Sequence, residues 1–468
     1  MKIIHHTLAA AMLALVACND WLDVTPLGQI DEDKMFAEER GFQETLAGSY
    51  SQLTDVAAYG RELTVGFPDE IARYWNERSD FYNFKYGETP AVARLLATWN
   101  KMYETIANLN LLIDHAKGRE QTLPRHNLIV GEAKGLRAYL HLDLLRLFGP
   151  VLPDGMDSPS IPYRDEFSNN IARRETARAI IAKIEADLLE ARRLLREDPI
   201  HQYGRLNTTI VDNSRESKAY AYLYRGCRLN YHAVTATLAR LNLLVGKKAE
   251  ALVLANEVIN SGAFRLGSAD PLDFMFQPEL VWGLHHATIA DHLGANFITS
   301  YTIDDAFRAF VYAGGNGLPD DARLNHWFGQ TATTPAVNFL AKYNRVMQGT
   351  VDVTRWRPVI PMIRLTELYY IAAEALLDTD LPAARQLLQT VRDARGLTAA
   401  QLPAALTREE MLQQIILEQL KENWGEGKMF YTYKRLSHPI IIRQSAIPTT
   451  SATFVLPIPR EEIEYGNN

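Results

Sequence analysis

The stretch Ala239-Arg-Leu-Asn-Leu-Leu-Val-Gly246, turning through glycine into Lys247 to Ile259, decides the fold of this chain. Ala251, Ala255 and Val258 recur at helical spacing in the second half, where small side chains let one helix approach another closely. A second pair starts at Leu365, passes through Ala372, Ala373, Ala375 and Leu377, turns at Asp378-Thr379-Asp380 and resumes from Pro382 to Arg395. Aligning Ala239 with Ala372 also pairs Leu243 with Leu376, Leu244 with Leu377, Ala251 with Ala384 and Val258 with Val391. Antiparallel helices with small and large apolar residues in register are the unit of a tetratricopeptide-like repeat. The expected fold is therefore mainly α, a helical-repeat superhelix with long irregular insertions and a few short strands.

Working outward, Phe36, Phe42, Leu46, Tyr50 and Leu53 mark one face of a helix starting near Met35. Leu95, Trp99, Met102, Tyr103, Ile106, Leu109 and Ile113 mark a helix from about Pro90 to Ala116, and Leu128 to Phe148 forms another before Gly149-Pro150 ends it. Two stretches break the pattern. Gly60 to Glu88 and Ser261 to Arg357 are rich in Gly, Pro, Asp, Asn and aromatics, with strand-like runs such as Leu280-Val-Trp-Gly-Leu-His285. Loops of that length are usually functional or act as lids, and the two are expected to share a face.

At the other end of the chain, Leu15-Val16-Ala17-Cys18 follows a short apolar run and one basic residue, Lys2. That order marks a bacterial lipoprotein signal, cut before Cys18 and lipidated on it. The expected organisation is a signal peptide over 1–17, a lipidated tether over 18–34 and a single helical-repeat domain over 35–468. Cys227 then has no disulfide partner, so the domain must hold together through its core. No later run is long and apolar enough to span a bilayer, leaving acyl chains as the attachment. A net charge of -7 without a basic, aromatic-interleaved block argues against nucleic acid as a partner.

Catalysis would leave a His-Glu-x-x-His, a Gly-x-Ser-x-Gly elbow or a glycine-rich phosphate loop, and the chain contains none. Asp69-Glu70 and Asp304-Asp305 read as solvated loop acids. His285-His286, with His292, reads as a strand end with one imidazole inward and one outward, so no metal and no cofactor are assigned. Asp378-Thr-Asp380 reads as a turn capping the next helix, and Cys227 as a buried small residue. Trp99, Trp282 and Trp424 sit in patterned stretches and read as core. Trp75 and Trp327 sit in irregular, polar insertions, within Arg73-Tyr-Trp-Asn76 near Tyr82 and within Asn325-His-Trp-Phe328. Flat rings beside amide and guanidinium groups suit stacking on a sugar or holding a peptide. The expected binding residues are Arg73, Tyr74, Trp75, Asn76, Tyr82, Tyr312, Trp327 and Phe328.

The lipobox, Asp20-Trp-Leu-Asp23, Trp99-x-x-x-Tyr103-x-x-Ile106, Glu132-Ala-Lys-Gly-Leu-Arg-Ala138, Arg146-Leu-Phe-Gly-Pro150, Tyr370-x-x-Ala-Glu374, Gly425-Glu-Gly427 and Leu456-Pro-Ile-Pro459 together resemble the SusD/RagB family of outer-membrane lipoproteins. The block after Glu426 departs from the family pattern, with Met429 for a usual Arg, Thr432-Tyr433 for Asp-Leu, and Gln419 where Glu-Arg is common. A local repacking around Phe430, Tyr431 and Tyr433 is expected there. The resemblance implies a non-enzymatic, cell-surface lipoprotein of a Bacteroidetes-type Gram-negative bacterium. It also implies a partner, a SusC/RagA-type TonB-dependent barrel, over which the protein sits as a lid delivering oligosaccharide. A peptide ligand, or a repeat scaffold that binds only protein, are the alternatives.

Overall fold

The computed structural model describes residues 32–76, 79–205, 224–268, 273–289, 293, 300–313, 321–331, 336–343, 359–442 and 445–465. The signal peptide, Cys18, most of the tether and His292 lie outside them.

Helices α1 (Glu39–Leu53), α2 (Phe67–Ile71), α3 (Thr89–Ala116) and α4 (His126–Phe148) come first, then α5 (Ala177–Leu194), α6 (Tyr231–Leu244) and α7 (Lys248–Ile259). α8 (Asp305–Ala313) and α9 (Ala322–Trp327) belong to the second insertion. α10 (Leu365–Ala375), α11 (Leu381–Ala394), α12 (Arg408–Glu422) and α13 (Met429–Leu436) follow it, and shorter helical turns connect several of these elements. From α3 to α7 each helix packs on the next, after which α7 packs on α10, α10 on α11 and α11 on α12. The repeat stack thus continues across the second insertion as though it were not there.

The reason is legible in the repeat positions. Ala239 and Ala372, Ala251 and Ala384, and Val258 and Val391 are all fully buried. Alanine at the closest approach and branched residues beside it give both pairs the same interhelical spacing, and each buried Val or Leu contributes about 1.5–3 kcal/mol. Asp380 caps α11 by accepting from Ala383 N at 3.0 Å, as its place in the turn predicts.

Strands β1 (Pro159–Pro162), β2 (Arg174–Thr176), β3 (Leu280–His285), β4 (Phe328–Gln330), β5 (Asn338–Leu340), β6 (Val359–Arg364), β7 (Ile440–Ile442) and β8 (Ser445–Ile447) pair as antiparallel two-stranded ribbons. In the β3–β6 ribbon Leu280 faces Arg364 and His285 faces Val359. It closes the base of the second insertion and returns the chain directly into α10. His285 is exposed and His286 buried, the expected in-and-out pair. Among the described residues no cluster of His, Cys, Asp and Glu could hold a metal.

α4 runs through the middle, buried on almost every side, and its polar side chains are paired internally. Arg137 holds Asp187 through two bonds of 2.7 Å, and Tyr59 donates to Asp143 at 2.7 Å. At Gly135 a Cβ would stand 2.3 Å from Leu229 Cδ2 and 3.1 Å from Val234 Cγ2, so a larger residue would have to displace those buried side chains. Thr432 donates to Gln419 at 2.7 Å, a neutral bond across the α12–α13 contact where the sequence departs from the family pattern, with Phe430 and Tyr433 fully buried beside it.

Two expectations need correction. Asp69 and Glu70 are not solvated loop acids, since both are buried. Asp69 accepts the backbone N–H groups of Gly425 and Gly427 at 2.9 and 3.0 Å, and Glu70 is paired with Arg94 at 2.6 Å. Gly425 and Gly427, at φ +69° and +65°, adopt the left-handed backbone that aims both N–H groups at one carboxylate. The Gly-Glu-Gly motif is therefore a cradle fastening the C-terminal segment to the first insertion. Cys227 is only partly buried, packed against the edge of the core.

Candidate functional site

The two insertions lie side by side. Asn76 N donates to Thr302 O at 2.8 Å, and Ile303 N donates to Asn338 O at 3.1 Å. Tyr301 stands edge-on to Trp75 with ring centroids 5.5 Å apart. The shared face expected from the sequence is present.

On that face the expected binding residues separate into two sets. Tyr74, Trp75, Tyr312, Trp327 and Phe328 are buried, which corrects the expectation that the two tryptophans offer their rings to solvent. The four that carry a polar side-chain atom have it satisfied from within. Trp75 Nε1 donates to Val65 O at 2.8 Å and Trp327 Nε1 to Phe274 O at 2.7 Å. The hydroxyls of Tyr74 and Tyr312 donate to the carbonyls of Leu420 and Lys421, both at 2.8 Å. Phe328 lies edge-on to Trp424 at 5.2 Å, and Lys342 Nζ sits 4.1 Å above the Trp327 ring. These five residues bind the insertions to the core and floor the face.

Arg73, Asn76 and Tyr82 remain at the surface. The Arg73 guanidinium lies 3.4 Å above the Tyr82 ring and 4.9 Å from the Phe84 ring. Arg73 and Phe84 hold φ of 68° and 57°. The left-handed conformation costs a non-glycine residue about 1–2 kcal/mol, and such strain clusters at ligand sites. Burial lowers the Arg73 pKa, Nε lacks an acceptor, and among the described residues no carboxylate pairs with it. A stacked guanidinium and phenol next to an exposed amide present a flat surface edged with donors. That combination suits stacking on the apolar face of a sugar while bonding its hydroxyls. Phe84 and Tyr301 were not singled out in the sequence, because neither lies in a periodic pattern and the fold alone brings them beside Arg73 and Trp75.

A second concavity of about 540 Å³ opens beside α3, lined by Trp99, Tyr103, Arg164 and the exposed Phe167 and Ile171, among others. It is bounded by the scaffold and the C-terminal Glu461 and Glu462, not by the insertions.

Residues 20–225 match a family model described as SusD-like, starch-binding and associating with the outer membrane, and residues 325–464 match the SusD family model. A SusD-like protein P2 of Formosa agariphila is 26% identical over 158 residues, covering 32% of this chain and 31% of that protein. The chain thus matches about a third of that curated relative's length. Among solved structures, a SusD superfamily protein of Bacteroides thetaiotaomicron superposes with a TM-score of 0.68 at 22% identity, covering 92% of this chain and 98% of that one. A SusD-like carbohydrate binding protein of Bacteroides vulgatus superposes with a TM-score of 0.70 at 18% identity, covering 92% and 97%. These likenesses show the fold.

Proposed function

The chain belongs to the SusD/RagB family, and from that premise we propose that it is a cell-surface lipoprotein that captures oligosaccharide and delivers it to a TonB-dependent barrel of the SusC/RagA type. The family is one of binding proteins, not enzymes. Its description as starch-binding and outer-membrane-associated supports a glycan over a peptide ligand. The observation that carries the reading is Arg73, strained, without a carboxylate partner among the described residues and stacked on Tyr82 at the junction of the insertions.

Calorimetric titration of the chain from Asn19 onward with maltooligosaccharides, then with other oligosaccharides and peptides, tests this. Tyr82→Ala and Arg73→Ala should each weaken binding of the cognate ligand by about 1 to 3 kcal/mol, the scale of losing an aromatic or arginine anchor, without lowering the melting temperature. Wild-type affinity in both variants rejects this face. Loss of affinity in Phe167→Ala instead transfers the site to the groove beside α3.

Attachment is tested separately. Cys18 is the residue placed for lipidation, and stable anchoring needs more than one acyl chain. Cys18→Ala should move the protein from the membrane to the soluble fraction; continued membrane association in cells lacking the barrel rejects the lipoprotein reading.

A further inference from the structure

A cleft of about 90 Å³ lies where α4, α6, α10, α12 and α13 meet. Five cationic side chains line it, Arg146, Arg240, Arg364, Lys428 and Arg435, against one carboxylate, Glu367. Arg240 is held by Glu367 at 2.6 and 2.9 Å, Arg435 by Glu374 at 2.5 and 2.7 Å, and Arg146 by Asp143. Arg364 and Lys428 do not have an acid each. Both lean on Glu426, which Lys342 also binds, while Glu279, the other acid of Arg364, is already held by Arg395. Followed through Arg323, Arg392 and Lys421 to Asp321, Glu418 and Glu422, this connected network, buried except for the half-buried Lys428, sets seven cations against five carboxylates among the described residues.

Excess positive charge in a low-dielectric interior is costly unless an anion answers it. The cleft also contains unanswered donors. Arg240 Nη1 and the hydroxyls of Tyr370 and Tyr431 are buried without a hydrogen-bond partner among the described residues, and all three residues line it. Gln419, whose side-chain oxygen accepts from Thr432, keeps its NH₂ as a further donor at the wall. The neighbouring Lys434 reports the same field, since burial and Arg146 push it down to about 7.

We propose that this cleft binds a small inorganic oxyanion of the phosphate or sulfate type. A cleft of about 90 Å³ has room for a tetrahedral anion in place of a few waters. Held there, the anion would bridge the helical repeats, through Arg146 and Arg240, to the segment after the Gly425-Glu-Gly427 cradle, through Lys428 and Arg435. It would act as a clamp separate from the ligand face.

The test melts the full mature chain at constant ionic strength in chloride, phosphate or sulfate at low millimolar concentration, well below the range where excluded salts stabilise proteins generally. Phosphate or sulfate should raise the melting temperature saturably, by about 2 to 4 °C at a hundred times the dissociation constant. Thr432→Asp supplies a carboxylate at the wall and should melt at or above the wild type in chloride with no further response to phosphate. Equal melting temperatures in all three salts overturn the proposal, as does a phosphate shift that Thr432→Asp retains in full. If Thr432→Asp fails to fold, Lys428→Gln at the mouth decides instead: a shift cut by half or more supports the site, and an undiminished shift overturns it.

Discussion

Trp327→Ala should destabilise the protein by about 3 to 5 kcal/mol, the usual cost of truncating a buried large aromatic, and Trp75→Ala should follow closely. Both rings are almost completely buried and both indole N–H groups donate to backbone carbonyls. Truncation would leave those carbonyls unsatisfied and open a cavity beneath the insertion face. At Trp327 it would also strip Lys342 of the ring it covers at 4.1 Å, a desolvated cation–π contact worth up to about 2 kcal/mol. Circular dichroism melting of both variants, with urea midpoints, measures the cost. If both melt like the wild type while oligosaccharide binding disappears, the two tryptophans belong to the ligand site after all.

Local and long-range information explain what the sequence revealed. The helix around Phe42, Leu46 and Leu53, and the matched positions of the two repeats, were legible because a 3.6-residue period is written within one segment. Trp99, Trp282 and Trp424 were correctly read as core from the same kind of local pattern. Trp75 and Trp327 misled because their immediate neighbours are polar, whereas the groups that bury them come from elsewhere in the chain. Trp424 packs on Trp75 at 6.3 Å from the far end of the chain, and Phe274 receives the Trp327 N–H from 53 residues away. Asp69 misled for the same reason, since its two donors lie 356 and 358 residues downstream. Arg73, Asn76 and Tyr82, which stay at the surface, were legible as a composition of polar and aromatic groups. Their stacking was not, because it depends on a left-handed backbone at Arg73 that no residue type announces.

The buried ion network was the least legible feature and should give the other large effect. Arg395 is fully buried; it donates to Glu279 at 2.8 and 3.0 Å, to Glu422 at 2.7 Å and to the Gly267 carbonyl at 2.9 Å, and lies 4.0 Å over Phe276. Arg395→Met keeps the bulk but leaves two neighbouring carboxylates short of a cation, and breaking a buried pair in this way costs about 3 to 5 kcal/mol near neutral pH.

The sign of its pH dependence follows from the carboxylates. Burial works to raise Glu422, but Arg395 and Arg323 outweigh it and hold the wild-type group down to about 2. That stability is present above the unfolded pKa of about 4.3 and is lost as pH falls through the folded value. Burial already holds Glu279 above its ordinary value in the wild type, with Arg395 pulling it back in part. Without Arg395, burial and mutual repulsion should raise the Glu279–Glu422 pair further, so the folded variant takes up a proton at higher pH than the wild type does and recovers part of the loss as pH falls. The stability gap between wild type and Arg395→Met should therefore be widest near pH 8 and should narrow towards pH 4.5. Urea midpoints across that range measure it, and adding Glu422→Gln should recover part of the gap at pH 8 by removing one of the two carboxylates that lose Arg395, since among the described residues Glu422 then keeps only Arg323. A gap that stays constant with pH, or a double variant no more stable than Arg395→Met alone, would show that Arg395 acts through its packing on Phe276 and not through the charges it joins.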